Sequence, residues 1–316
     1  MLSIRLFTSN DYPAIQVILN GAFPEAPVTL EGLRSQYQNQ DPIYKSQRWV
    51  AIYDGRVVAY GLYDQLPLMY HPRKFLISVV VHPDYQNKGI GSAMYEHIIA
   101  ALRPFNPLSV RAIARENRKR SVEFLKAKGF QEDQRDYVLS LDVGYIDLAQ
   151  YAGIEKNLQT QGIKIKALRE LQADHNYDYK LHRLYNELNQ DMPAPEPTTP
   201  VSYEYFMENM LNNMNLLPEA YFVAIHKDEY IGMNVLYDRP GNGYLFNEFT
   251  GVKRQYRRKR IALALKLQGI TYARANKYST IKTFNNASND PILSLNEHLG
   301  FVNEPAIITL VKILGN

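Results

Sequence analysis

Two stretches of this chain repeat each other at a fixed distance, and that duplication limits the possible folds more than any other feature. The segment 81–91, which reads VHPDYQNKGIG, aligns with the segment 252–262, which reads VKRQYRRKRIA, at an offset of 171 residues. Gly129-Phe130 and Gly300-Phe301 match at the same offset. Self-similarity at a fixed period indicates a duplicated structural unit. The sequence therefore predicts an N-terminal domain over 1–145, a connector over 146–162 and a C-terminal domain over 163–316.

Hydrophobic periodicity predicts the same order of elements in each half. The order is a strand, a helix, a proline-bearing loop, a second helix, a hairpin, a central strand, a helix, a strand, a last helix and two last strands. In the first half, the segments before the last helix are 4–7, 12–20, 23–27, 30–39, 49–64, 75–81, 89–102 and 110–114. In the second half they are 163–168, 179–189, 192–200, 203–212, 222–238, 244–252, 261–276 and 280–284. This order predicts a mixed α/β (α+β) fold with one sheet per domain.

Composition narrows the chemistry. The 316 residues include no cysteine, which excludes disulfides, thiolate metal ligands and a cysteine nucleophile. The seven histidines show no zinc-ligand spacing, so we predict no metal. The N-terminus lacks the apolar core of a signal peptide, and no run approaches the roughly 20 apolar residues of a membrane span. We expect a cytoplasmic protein that does not bind a membrane.

One loop in each half stands between a strand and an amphipathic helix. In the first half it contains Gln86, Gly89 and Gly91. The first amides of a helix lack internal partners and carry partial positive charge, and glycine lets a ligand approach the backbone. The loop is therefore a candidate phosphate site. It is not a Walker loop, because no Gly-Lys-Ser/Thr ends it, and it has too few glycines for a dinucleotide fingerprint.

Basic residues cluster near both loops. Residues 253–260 hold six cations in eight positions, and residues 111–120 hold five in ten, although the net charge is only +4. Such clusters are typical of a solvated surface, a nucleic-acid site or a site for an anionic cofactor. Because the first cluster coincides with the candidate phosphate loop, we favour the cofactor and expect no nucleic-acid partner.

The whole arrangement resembles the GNAT superfamily of N-acetyltransferases, and the chain is similar to two such domains in tandem. The family pattern is a strand ending in Val-x-Pro, then Gln/Arg-x-x-Gly-x-Gly/Ala, a helix, an asparagine and a final Gly-Phe. The first half matches it at Val81, Pro83, Gln86, Gly89, Gly91, Asn117 and Gly129-Phe130. The second half matches it at Val252, Arg257, Ala262, Asn289 and Gly300-Phe301. The two-domain layout also resembles that of mycothiol synthases, with no shared substrate implied.

The resemblance implies a fold of two acyl-CoA N-acyltransferase domains and acetyl-CoA as co-substrate. The ends of the central strands would pair with pantetheine, the loop amides would hold the diphosphate, and the two asparagines would contact the pantetheine arm. In the first half the implied cofactor-binding residues are Val79, Val80, Val81, Gln86, Asn87, Lys88, Gly89, Ile90, Gly91, Ser92 and Asn117. In the second half they are Thr250, Gly251, Val252, Arg257, Arg258, Lys259, Arg260, Ile261, Ala262, Leu263 and Asn289. The alternative for Asn117 and Asn289 is helix N-capping.

The chain departs from the family pattern in its second loop, at the usual acid of both halves, and in the spacing of Asn117, which lies 12 residues before Gly129, one more than in the family. Arg260 replaces the first glycine of the second loop, where it either supplies a cation or marks a decayed site. Since a helix start does not by itself require a positive φ, we expect the loop amides to survive this change. The tyrosine that often protonates departing CoA is replaced by Leu125 and Asn296, so neither half has the usual acid.

The central strand offers a general base in one half only. An ammonium is not a nucleophile, so acetyl transfer to an amine requires a base, and some family members place it on the central strand. These positions are Phe75 and Ile77 in the first half and Phe246 and Glu248 in the second. An apolar environment would raise the pKa of Glu248. The alternative is a salt-bridged or edge-exposed glutamate, and His82 and Glu116 are lesser candidates in the first half.

These observations predict an N-acetyltransferase that moves acetyl from acetyl-CoA to a primary amine of a small molecule or peptide. The amine would attack directly in a ternary complex. We favour the C-terminal domain as catalytic and assign the more complete CoA loop to the N-terminal domain. The alternative is a non-catalytic acetyl-CoA-binding protein with a regulatory or scaffolding role. The acceptor itself would be shaped by the two proline-bearing loops.

Overall fold

The protein is described here by a computed structural model that covers residues 1–38, 43–194, 196–239 and 241–315. Position 39, the predicted end of the second helix, and Pro195 of the second proline-bearing loop lie outside the described residues. Within those ranges, no helix combines the length and apolarity needed to cross a bilayer.

Residues 1–142 form β1 (Leu2–Leu6), α1 (Tyr12–Ala22), α2 (Leu30–Gln38), β2 (Ser46–Tyr53), β3 (Arg56–Asp64), β4 (Lys74–Val81), α3 (Ile90–Leu102), β5 (Ser109–Arg115), α4 (Lys119–Ala127) and β6 (Gln131–Asp142). The remainder forms α5 (Ile154–Thr160), β7 (Ile163–Ala167), α6 (Leu168–Leu171), α7 (Tyr177–Asn189), α8 (Tyr203–Phe206), β8 (Leu216–His226), β9 (Glu229–Asp238), β10 (Tyr244–Val252), α9 (Ile261–Ala275), β11 (Thr280–Asn286), α10 (Asp290–His298) and β12 (Val302–Ile313). A π-helical turn, Met207–Leu211, continues α8. The predicted pair of last strands is wrong, because each half ends in one strand of 12 residues.

The chain divides into two compact units, of which the first is built from two separate segments. The first unit is Met1–Gln134 with Ile308–Asn316, and the second is Arg135–Ile307. Residues 135–145 and 308–316 therefore fall in the opposite unit from the one that the predicted boundaries give them. Hydrogen-bond pairing and burial explain this membership. Residues 136–142 of β6 pair antiparallel with β11, and Ile308 and Leu310 lie in the core of the first unit.

The strands of each unit lie side by side and include one parallel pair of described register. In the first unit the order is β1-β2-β3-β4-β5, followed by the end of β12. In the second unit it is β6-β11-β10-β9-β8-β7. Among the strand pairs whose register is described, pairing is antiparallel except between β4 and β5 and between β10 and β11.

Both parallel pairs separate halfway along the central strand. β4 pairs with β5 over Lys74–Leu76 and then continues to Val81, and β10 pairs with β11 over Tyr244–Asn247 and then continues to Val252. Beyond these pairs, residues 77–81 of β4 and 249–252 of β10 keep pairing with the preceding antiparallel strand only. One edge of each strand end is therefore open to an added hydrogen-bonding chain.

Candidate functional sites

The two loops that follow the central strands share one backbone conformation. In the first loop φ is 62° at Asn87 and 76° at Gly89, and in the second it is 63° at Arg258 and 62° at Arg260. The expectation that Arg260 needs no positive φ was therefore wrong. The same turn is built in both halves, and in the second it forces an arginine into the left-handed region. That region costs an L-residue about 1 kcal/mol.

This turn exposes a row of backbone amides. The first helical hydrogen bonds run from Ala93 N to Gly89 O and from Ala264 N to Arg260 O, each at 3.0 Å. Among the described residues, no partner accepts from the amides of 87–92 or 258–263. Unpartnered amides at a helix N-terminus are suited to bind phosphate. Both ranges are those that the family resemblance assigns to the diphosphate.

Gln86 and Arg257 use their side chains to fix the loops. Gln86 Nε2 donates to the carbonyl of Val81 at 3.1 Å, and Arg257 Nε donates to the carbonyl of Val252 at 3.0 Å. Two unlike side chains thus tie the loop to the last residue of its strand. Their observed contacts are structural, and a direct contact with CoA stays a prediction for both.

The basic cluster at 253–260 is half neutralised within the protein. Lys253 Nζ lies 2.8 Å from Glu187 and 2.9 Å from Glu229, and Arg254 and Arg257 both pair with Asp191. The hydrogen bond from Arg254 and the pairing with Arg257 hold the pKa of Asp191 below its ordinary value. The pattern of cations alone could not reveal these pairings.

Three cations of that cluster remain for a ligand. Arg258, Lys259 and Arg260 are exposed and have no ion pair among the described residues. Lys259 and Arg260 also line a cleft of about 370 Å³ together with Gly153 and Asn157 of the connecting segment. Positive charge beside free amides is the arrangement expected for a polyphosphate.

The two asparagines are placed differently. Asn117 is exposed and precedes Arg118, which is the N-cap of α4. Asn289 is the N-cap of α10, but its side chain makes no capping hydrogen bond. Helix capping therefore does not explain Asn117, and Asn289 occupies an N-cap position without making the hydrogen bond that a cap provides. A contact of either with pantetheine remains a prediction.

Glu248 is the extra residue of a β-bulge in β10. The register between β10 and β9 shifts from Asn247 opposite Leu236 to Phe249 opposite Val235, so Glu248 has no partner. About half of its side chain is accessible, and Nη2 of Arg239 lies 3.8 Å from its Oε2. Surrounding protein raises the pKa of Glu248, while Arg239 opposes that rise.

Besides Arg239, the hydroxyl groups of Tyr185 in α7 and Tyr237 in β9 interact electrostatically with Glu248. The two tyrosines are buried, and the nearby Glu248 charge adds to the desolvation that raises the pKa of both. A carboxylate with a raised pKa, open to solvent on one side, can accept a proton from an amine near neutral pH.

The first unit has no carboxylate at the corresponding place. Ile77, 171 positions before Glu248, is buried with 3% of its surface exposed. His82 caps a short turn by accepting from the amide of Asp84. Of the two residues that replace the usual acid, Leu125 is apolar and buried, and Asn296 is fully buried and donates to Asn285 at 2.6 Å.

Sequence reasoning missed Lys266 of α9 and its hydrogen-bond partner, the side chain of Asn247 in β10. Lys266 interrupts an apolar run in α9, and a lone charge in such a run was a usable signal. Its side chain is 4% exposed, and burial lowers its pKa to about 7.

A strand whose parallel partner separates, followed by a helix with free N-terminal amides, defines an acyl-CoA-dependent acyltransferase domain, and the arrangement occurs twice here. The sequence model of the Acetyltransferase (GNAT) family matches residues 13–130 and 181–301. The chain belongs to this family, as a tandem two-domain member and an acyltransferase.

Solved structures show the same fold over the whole chain. A tandem GNAT protein from the clavulanic acid biosynthesis pathway has a TM-score of 0.76 and 19% identity, covering 100% of this chain and 99% of that one. A GCN5-related N-acetyltransferase from Sphaerobacter thermophilus has a TM-score of 0.70 and 15% identity, covering 99% and 95%. No curated protein sequence matches significantly.

Proposed function

We propose that this protein transfers an acetyl group from acetyl-CoA to a primary amine of a small molecule or peptide, and that its second unit carries out the chemistry. The observation that supports this most is Glu248. It combines an unpaired bulge position, an accessible side chain and a pKa raised by its surroundings. No comparable group stands at Ile77.

The proposed reaction follows from this arrangement. Pantetheine would run along the open edge of 248–252, and the diphosphate would meet the amides of 258–263 and the cations Arg258, Lys259 and Arg260. Glu248 would take a proton from the acceptor ammonium, directly or through a water molecule. The amine nitrogen would attack the thioester carbonyl, the C–S bond would break, and CoA would leave as a thiolate. Because Asn296 is buried and cannot protonate it, the thiolate would take its proton from solvent or from the attacking amine.

The first unit would bind acetyl-CoA without turning it over. Its loop has glycine at the left-handed position and six free amides, but Ile77 can remove no proton. This division of labour is the part of the proposal that most needs a direct test.

The test is a metabolite extract incubated with isotope-labelled acetyl-CoA and the protein, followed by mass spectrometry. We expect a labelled N-acetyl product with wild type and with Gly89→Glu, which alters the first unit only, and little product with Glu248→Gln. CoA binding by wild type without any labelled amine would favour the non-catalytic alternative. Loss of product in Gly89→Glu alone would move the chemistry to the first unit.

A further inference from the structure

Lys266 is a buried amine without a carboxylate. It lies on the face of α9 that packs on the sheet of the second unit, and no ion pair to it occurs within the described ranges. Its Nζ donates to Oδ1 of Asn247 at 2.6 Å and stands over the ring of Phe301 at 5.2 Å. A buried charged group without a counter-ion costs stability, so its presence calls for a reason.

Asn247 is the residue at which the register of β10 breaks. Its Nδ2, which has two hydrogens, has three acceptors within reach: the carbonyls of Val235 and Phe249, both at 3.1 Å, and Oδ1 of Asn234 at 2.9 Å. Val235 and Phe249 are the first pair after the bulge. The amide of Asn247 therefore provides hydrogen bonds to carbonyls on both strands where the ladder is interrupted, and so it stabilises the bulge.

Lys266 helps to fix which way that amide points. The protonated lysine only donates hydrogen bonds and the carbonyls of Val235 and Phe249 only accept them, so the Asn247 oxygen faces α9 and the Asn247 nitrogen faces the bulge. Thr250 Oγ1 stands 3.1 Å from the same oxygen and 2.7 Å from Asn234 Oδ1, on the strand end expected to meet pantetheine. The pKa of Lys266, lowered to about 7, leaves both the ammonium and the neutral amine populated near pH 7, and both forms can donate to Asn247 Oδ1.

The first unit provides an internal comparison. At the positions of Lys266, Asn247 and Glu248 it carries Tyr95, Leu76 and Ile77. There β4 pairs with β3 from Ala59 to Asp64 without a register shift. The lysine, the asparagine, the bulge and the glutamate thus occur together in one unit and are all replaced in the other.

We propose that Lys266 is a positioning residue for the acceptor-deprotonating step: through Asn247 it holds the bulge that turns Glu248 toward the acceptor. This rests on the proposed role of Glu248. It assigns a function to a lysine that is buried in the core of the second unit.

The first test is structural and does not depend on activity. Amide hydrogen exchange of peptides covering 244–252 should accelerate in Lys266→Met. It should not change in Tyr95→Phe, which removes the polar atom at the matching position of the first unit. Unchanged exchange in Lys266→Met would overturn the proposal, whatever Glu248 does. If Lys266→Met does not fold, Lys266→Leu, which also lacks a donor, takes its place in this test.

The second test is kinetic. Lys266→Met should lower kcat roughly 10–100-fold, the scale of a misplaced catalytic group, with KM for acetyl-CoA within about twofold of wild type. Lys266→Gln, which keeps a neutral donor, should recover part of kcat. The double variant Lys266→Met/Glu248→Gln should be no slower than Glu248→Gln, because coupled residues are not additive. Additive losses would overturn the proposal, whereas full activity of Glu248→Gln alone would instead refute the role of Glu248.

Discussion

Nη2 of Arg239 stands 3.8 Å from Oε2 of Glu248, close enough for charge attraction but too far for a hydrogen bond. Both side chains remain partly accessible, at 39% and 50%. The guanidinium is also held over the ring of Phe246 at 4.8 Å, which fixes its position. Arg239 thus limits the rise in the pKa of Glu248 without forming a hydrogen bond to its oxygen atoms, which leaves the carboxylate available to an acceptor.

Glu248→Gln should lower kcat/KM by roughly 10²–10⁴, the scale of a lost general base. The amide has the same shape, so acetyl-CoA affinity and the unfolding midpoint should hold. In wild type, kcat/KM should rise with pH through a midpoint above the ~4.3 of free glutamate, because the base works only when deprotonated and burial raises its pKa. The control is Glu170→Gln, at an exposed position of α6. Full activity of Glu248→Gln on a verified acceptor would remove the main support for a catalytic second unit.

Arg239→Met should move the midpoint of the rise of kcat/KM with pH to a higher pH. Arg239 lowers the pKa of Glu248 by charge attraction, so removing the cation leaves the desolvation unopposed. Arg239→Lys keeps the charge and should leave the midpoint nearer to wild type. The measurement is the pH dependence of kcat/KM for the three proteins. A midpoint that does not respond to Arg239→Met would mean that another group controls it.

Arg260→Gly and Arg260→Ala separate the two properties of Arg260. Both remove a cation beside the free amides of 258–263, and both should weaken acetyl-CoA binding in calorimetry. Only glycine relieves the backbone at φ 62°, so Arg260→Gly should be more stable than Arg260→Ala by about 1 kcal/mol in denaturant unfolding. Tighter binding in both variants would show instead that the arginine obstructs the site.

Gly89→Glu should abolish acetyl-CoA binding in the first unit, because it places a carboxylate among amides that attract a diphosphate. Calorimetry should show one site fewer than in wild type. Gly89→Ala is the matched control. A Cβ there meets no atom within 4 Å, so its cost is limited to the backbone at φ 76°. Unchanged stoichiometry in Gly89→Glu would show that wild type does not fill this site.

Lys266 should make the second unit more stable as the pH rises from 7 toward 9.5. Burial lowers its pKa from 10.5 to about 7. Between those values the unfolded chain binds a proton that the folded chain does not, so stability increases with pH. Lys266→Met should lack this increase. Thermal unfolding of both proteins at several pH values measures the difference, and parallel curves would contradict a depressed pKa.

Local sequence patterns were enough to predict the duplication, most of the helices and strands, and Glu248 as a candidate base. The offset of 171 predicted two copies of one fold, and the family match and the structure confirm it. Most predicted strands and helices end within two residues of the observed bounds, since periodicity and turn residues act locally. Glu248 could be singled out because a charge within an apolar strand is conspicuous.

What the sequence could not decide depends on residues that only folding brings together. Asp191, far from residues 254 and 257, neutralises two cations that the sequence shows as one basic run. The sequence also could not show that residues 135–142 belong to the second unit and residues 308–316 to the first. This membership depends on which strands pair over long sequence distances, and no local pattern encodes that pairing. The bulge at Glu248 likewise depends on a lysine 18 residues further along the chain, in a different element. Local propensity sets the elements, but hydrogen bonds and ion pairs across the core set the conformation of the site.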